Sequence, residues 1–187
     1  MATGIVETVA QLAGEGFPTF KTYTWLPDFV ARGADYLSLF RAVGAVRGMQ
    51  LFHCEDDALL EFGRRRVVES GMTSPAAYGR SKPVAIEVAA VERTLRLAEA
   101  AGVRSYLVHI SAADALAAVE RARARGADAF VETRPIYLHL TEERYDALRV
   151  RWPQSTSAPR PFGPHRTARR SGGHWRTARS TPWAATT

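Results

Sequence analysis

Three side chains of this sequence stand in settings that suit metal chemistry. Lys21 follows Thr19-Phe20, His53 closes Gln50-Leu51-Phe52, and His109 closes Tyr106-Leu107-Val108. Each terminates or interrupts a short apolar run of the kind that forms a buried strand, so each is expected at a strand end. Neutral imidazole is a good ligand for zinc-like ions. A lysine among apolar neighbours has a lowered proton affinity, and its free amine can take up carbon dioxide as a carbamate whose two oxygens could bridge two metals. Taken singly, these residues have plainer readings: a strand-end histidine is more often a satisfied polar group, and a lysine beside Phe20 more often snorkels to solvent. Three together favour a shared site if the fold gathers them. Cys54 is the only cysteine, so neither an intrachain disulfide nor a cysteine-cage zinc site can be built from this chain.

The elements that must gather them follow from periodicity. Ile5, Val6, Val9 and Leu12 make a helical stripe closed by Gly14 and Gly16, and a strand is expected over 19–23. A helix over 36–46 leads to a strand over 49–53, and a helix over 56–70 to a loop or short helix over 73–80. Pro83 opens a helix that carries Val84, Val88, Val91, Leu95 and Ala98 and stops at Gly102. The strand 105–109 follows, and Ser111 with Asp114 reads as a capping-box variant opening a helix that ends at Gly126. A fourth strand is expected over 129–132 and a last helix from Thr141-Glu142-Glu143.

Such alternation predicts an α/β fold with a parallel sheet. The sequence lacks both Gly-x-Gly-x-x-Gly and Gly-x-x-x-x-Gly-Lys, which argues against dinucleotide and nucleoside-triphosphate folds. Half of a (β/α)8 TIM-type barrel fits better, because roughly 150 structured residues fall well short of the ~250 a full barrel needs. In a barrel the carboxyl ends of the strands converge on one mouth, where Lys21, His53 and His109 would meet.

The chain has 187 residues, 46% hydrophobic and 24% charged, which suits a globular domain rather than a collagen, a coiled coil or a wholly disordered chain. Its longest apolar runs cannot cross a bilayer, and Met1-Ala2-Thr3-Gly4 opens no signal peptide, so a cytoplasmic protein is expected. The net charge of +6 does not belong to the body. Residues 151–187 carry seven arginines and no acid, among Pro, Ser, Thr and Gly, without helical or strand period. Two parts are therefore expected: residues 1–150 as the structured, barrel-like body, and 151–187 as a disordered basic tail. Trp152, Trp175 and Trp183 among those arginines allow a strand-binding arm, but a nucleic-acid partner is not the expected reading. Only Lys21 and Lys82 interrupt a complete preference for arginine, the mark of GC-rich coding DNA, and the tail reads as an out-of-frame end to a truncated product.

Five segments carry a resemblance. Phe20-Lys21-Thr22-Tyr23, Phe52-His53-Cys54-Glu55-Asp56, Ser81-Lys82-Pro83 with Glu87 and Arg93, Tyr106-Leu107-Val108-His109-Ile110-Ser111, and the stretch Glu132 to Thr141 resemble, in order and spacing, the dihydropyrimidinase and hydantoinase branch of the amidohydrolase superfamily. The resemblance implies a metal-dependent barrel hydrolase of cyclic amides or ureides, of which this chain supplies about four βα units, roughly strands 4 to 7. It matches Lys21 to a carboxylated lysine bridging two metals of zinc type, and His53 and His109 to the histidines that bind one of them. The family's His-x-His pair is absent, and no aspartate stands where its proton shuttle would, since Asp114, Asp128 and Asp146 fall in helices or turns; no catalytic residue is assigned. Leu26 stands where a substrate-contacting tyrosine is usual, so the substrate-binding residues are unknown. Lys82 and Ile136 also depart from the family and are read as structural. The implied partner is a small cyclic amide or ureide, a homo-oligomer is allowed, and the isolated chain is expected to bind metal weakly and turn over little. The alternative is a non-catalytic α/β binding or assembly module that pairs through exposed sheet edges.

Overall fold

Glycines and prolines divide the chain into helix-then-strand units that the computed structural model describes for residues 2–141 and Arg144. The order is α1 (Ala2–Gly14), β1 (Thr19–Tyr23), α2 (Pro27–Ala31), α3 (Gly33–Ala45), β2 (Met49–His53), α4 (Asp57–Glu69), α5 (Pro75–Ser81), α6 (Val84–Ala101), β3 (Arg104–Leu107), α7 (Ala113–Ala124), β4 (Ala129–Val131) and α8 (Pro135–His139). The four strands form one sheet in sequence order, every pair parallel. The proposed tail and most of the helix expected from Thr141 lie outside the described residues. Among the described residues no helix is long and apolar enough to cross a membrane.

The helix ends have local causes. Asp56 caps α4 by accepting a hydrogen bond from the Leu59 amide at 3.0 Å. Pro83 stands at the N-cap of α6, and Gly102 ends that helix at φ +65°, a left-handed turn that glycine takes without steric cost. The capping box expected at Ser111 does not form. The N-cap of α7 is Ala112, without a side-chain cap, because the Ser111 hydroxyl is engaged by Glu87 from α6. β3 also stops at Leu107, two residues short of the expected end, because His109 has turned to φ +46°.

Strand register sorts the side chains into two faces. Thr22, Phe52, Leu107 and Val131 lie in one row, and Gln50, Ser105 and Ala129 in the next, toward the helices. There Phe52 meets Phe40 of α3 edge to face at 5.1 Å, and Val43, Val91, Leu95, Leu107 and Val119 complete a buried core. The opposite row, Lys21, Leu51, Tyr106 and Phe130, is buried nowhere: Lys21 and Phe130 are exposed, Leu51 and Tyr106 half-buried. Parallel sheets normally bury both faces. Here the described helices cover only one.

Register at the β1–β2 start depends on Gly48. A Cβ there would come 2.4 Å from the Pro18 carbonyl oxygen, which already accepts the Met49 amide at 2.9 Å. The obstacle is backbone and cannot rotate away, so Gly48→Ala is expected to cost about 1–2 kcal/mol, read as a lower midpoint in urea at unchanged m-value. An alanine variant as stable as wild type would show that this seam can spread freely.

Candidate metal centre

The end of β2 carries His53, and parallel pairing places it opposite Tyr23 of β1. Their rings lie 5.3 Å apart. Beyond β3 the chain turns at His109 and brings its ring to 4.5 Å from that of His53, nearly perpendicular at 76°. Lys21 does not stand at its strand end but at the middle of β1, with Nζ 4.9 Å from the Tyr23 ring centre. Nor is it enclosed: although Leu51 stands opposite it, its side chain is exposed on the open face and makes no hydrogen bond or ion pair among the described residues. The fold thus brings the two histidines together and leaves Lys21 one aromatic ring away, close enough for its charge to bear on His109.

Local electrostatics leave His109 uncharged. Burial, then the charges of His53, Arg134 and Lys21, push its imidazole down to about 4. At neutral pH it is therefore an unprotonated donor. Two carboxylates stand close by, Glu55 beside His53 and Glu87 against Ser111. Glu55 Oε2 is 3.5 Å from His53 Nε2, and Glu55 Oε1 accepts a hydrogen bond from Lys82 Nζ at 2.6 Å. Burial alone would raise the Glu55 carboxyl, but the hydrogen bonds and charges of His53 and Lys82 outweigh it and hold the group down to about 2. The backbone of Glu55 is tied to β1 through Thr24 Oγ1, which accepts the Glu55 amide at 2.9 Å and lies 2.7 Å from its carbonyl. Glu87 is buried, and burial raises it to about 7 although the Ser111 and Ala112 amides hydrogen-bond to it.

Cys54, between His53 and Glu55, is no ligand candidate. Burial, then the nearby Glu87 carboxylate, pushes its thiol well above the ordinary range. It is expected to resist a disulfide reagent such as DTNB in the native chain and to react fully in urea. Fast labelling of folded protein would mean that this strand end opens.

In the sequence, Glu55 and Glu87 stand out only as parts of the longer resembling segments. Glu55 had a visible signal, since a residue two positions beyond a strand-end histidine in extended chain lies on the same side. Glu87 had a weaker one: an acid in the first turn of an otherwise apolar helix face, with Ile86, Ala90 and Val91 buried around it. Among the described residues no three His, Cys, Asp or Glu side chains stand together as a metal cage. The residues that could hold a divalent ion are His53 and His109, with the Lys21 amine on the same face. Two imidazoles whose ring centres lie 4.5 Å apart could each offer a nitrogen to a divalent ion.

No family model matches the chain. Curated proteins similar to it include an allantoinase of Rubrobacter xylanophilus, 36% identical over 153 residues, which cover 79% of this chain and 33% of that protein. A D-hydantoinase of Streptomyces coelicolor is 31% identical over 71% of this chain and 28% of its own length. A D-phenylhydantoinase of Escherichia coli is 31% identical over 76% and 31%. The chain spans about a third of the length of the curated relatives it matches. A solved D-hydantoinase superposes with a TM-score of 0.70 at 28% identity, covering 76% of this chain and 32% of that one. The L-hydantoinase (dihydropyrimidinase) from Arthrobacter aurescens, at 23% identity and a TM-score of 0.68, shares the fold over 77% of this chain and 33% of its own.

Proposed function

The chain belongs, over the stretch it shares with these relatives, to the hydantoinase branch of the amidohydrolases, and on that premise we propose that it forms part of the metal centre of a cyclic-amide hydrolase. The observation that carries the proposal is the 4.5 Å approach of His53 and His109 at the carboxyl ends of adjacent parallel strands, with Lys21 on the same open face. In this reading the sheet is about four strands of a (β/α)8 barrel, roughly the fourth to the seventh, and its open face is the barrel interior. Residues 1–150 form that unit, and 151–187 are a separate basic extension.

His53 and His109 would hold one divalent metal, of zinc type. Lys21, once its amine has added carbon dioxide and released a proton, would offer two carbamate oxygens to a metal pair. Bound metal supplies Lewis acidity toward an amide carbonyl and brings the pKa of a water near neutrality. This chain's own part is to present the imidazoles: burial and neighbouring charge keep His109 unprotonated, and Glu55, fixed by Lys82, stands against His53 Nε2. No residue of this chain is assigned to carry a proton to a leaving nitrogen, so little turnover is expected from this chain by itself.

The test is Zn2+ content and dihydrouracil or 5-substituted hydantoin hydrolysis by the purified chain, beside Lys21→Ala. Stoichiometric metal in wild type, with less retained by Lys21→Ala in the presence of bicarbonate, supports the proposal. Absence of metal binding, with folding unchanged by chelators, overturns it. That outcome would favour a non-catalytic module pairing with another chain through the free edges of β1 and β4, which the uncovered sheet face makes a specific alternative.

A further inference from the structure

Glu87 is an acidic side chain in a place where charge is costly. It sits in the first turn of α6, is 7% exposed, and faces the start of α7. Its carboxylate accepts hydrogen bonds from the Ser111 amide at 2.9 Å, the Ala112 amide at 2.8 Å and the Ser111 hydroxyl at 3.1 Å. The amides that open a helix lack intrahelical partners and are usually met by a local N-cap side chain. Here residue 112 is alanine, and the cap comes from a helix 24 residues away in sequence. A serine or aspartate at position 112 would accept from amides further into α7, so it could not replace Glu87 at the Ser111 and Ala112 amides. What the long-range cap adds is position, because it ties the turn after β3 to α6.

That turn begins with His109, a non-glycine residue held at φ +46°. Such a conformation persists only where its surroundings over-determine it. The flanking backbone is fixed by the Val108 amide on the Phe52 carbonyl at 3.1 Å and the Ile110 amide on the Glu132 carbonyl at 2.7 Å. On the following side Thr133 Oγ1 donates to the Ile110 carbonyl at 2.8 Å. Glu87 supplies the remaining anchor, immediately after these.

We infer that Glu87 is a positioning residue for His109: by clamping Ser111 and Ala112 it fixes the left-handed turn that sets the His109 imidazole against His53. The inference rests on the metal reading for its consequence but not for its geometry. Glu87→Gln keeps the shape but replaces one acceptor by an amino group, so a donor would face a donor; Glu87→Ala removes both acceptors. Leu95→Ala, in the same helix and 1% exposed, is the control for lost packing without any change to the clamp.

The test uses the full chain. Zn2+ affinity is measured by competition with a chromophoric chelator, normalised to folded protein. Amide exchange at Ser111 and Ala112 and the His53–His109 ring contact are followed by NMR without metal. Both Glu87 variants are expected to weaken Zn2+ at least tenfold more than Leu95→Ala and to lose amide protection and the ring contact. Adding Glu87→Ala to His109→Asn is expected to weaken binding no further, since the clamp acts through that histidine. Equal Zn2+ affinity in Glu87→Gln, Glu87→Ala and Leu95→Ala would overturn the inference and leave Glu87 a stabilising residue only. If the wild type binds no Zn2+, the metal reading falls by itself, and the clamp is judged on the metal-free chain, where an intact ring contact in Glu87→Ala overturns it.

Discussion

Replacing His109 by asparagine is expected to lower Zn2+ affinity at least ~100-fold while leaving the chain folded, and His53→Ala is expected to do the same. The magnitude follows from removing one of two imidazole donors outright, when losing a partner that merely orients a ligand already costs 10–100-fold. Asparagine is the choice at 109 because the residue sits at φ +46°, and Asn tolerates the left-handed region where alanine would add strain of its own. Folding should survive because both rings lie on the open side of the sheet and only partly in contact with the core. Competition titration with a chelator reads the effect, and circular dichroism checks the fold. The pair should also be non-additive: once either histidine is gone, the other holds little by itself. Two single variants that each bind Zn2+ like the wild type would place the ligands elsewhere and remove the basis of the proposed centre.

Much of the scaffold was legible because it follows local rules. The strands over 19–23 and 49–53 end where their apolar runs end, and the helix beginning after Pro83 stops where Gly102 takes its left-handed turn. Departures arise where a distant group decides. Ser111 looks like a cap from its neighbours, yet Glu87, brought in by the packing of α6 on α7, takes its hydroxyl and its amide. The third strand looks longer than it is because periodicity cannot show that His109 reverses its backbone. α2 and α8, each a five-residue turn started by a proline between longer elements, are too short to show a helical period. At the site, the types and order of Lys21, His53 and His109 were visible. Their unequal placement was not, because strand register and side-chain exposure depend on which face the helices cover.

The same dependence on distant partners governs the second large effect, expected at Lys82. Lys82→Met should destabilise the chain by about 2–3 kcal/mol at neutral pH. The Lys82–Glu55 pair is largely enclosed, with side chains 15% and 20% exposed and a 2.6 Å hydrogen bond. Breaking a fully buried pair costs about 3–5 kcal/mol because the remaining charge is stranded, and partial solvent access here reduces that figure. Methionine preserves the apolar stem beside Tyr78, so the loss reports the ammonium rather than packing. The pH dependence identifies the partner. Glu55 is held down to about 2 in the folded chain against an ordinary value of 4.5, so its contribution is complete above pH 4.5 and disappears as pH falls through 2. The stability gap between wild type and Lys82→Met should therefore stay level above about pH 5 and close on acidification between 4.5 and 2. Urea midpoints across that range measure it, and the double variant with Glu55→Gln should recover part of the loss, since no charge is then stranded. A gap that persists unchanged at pH 2 would show that Lys82 stabilises the fold by something other than Glu55, and His53 would lose the fixed carboxylate that orients it.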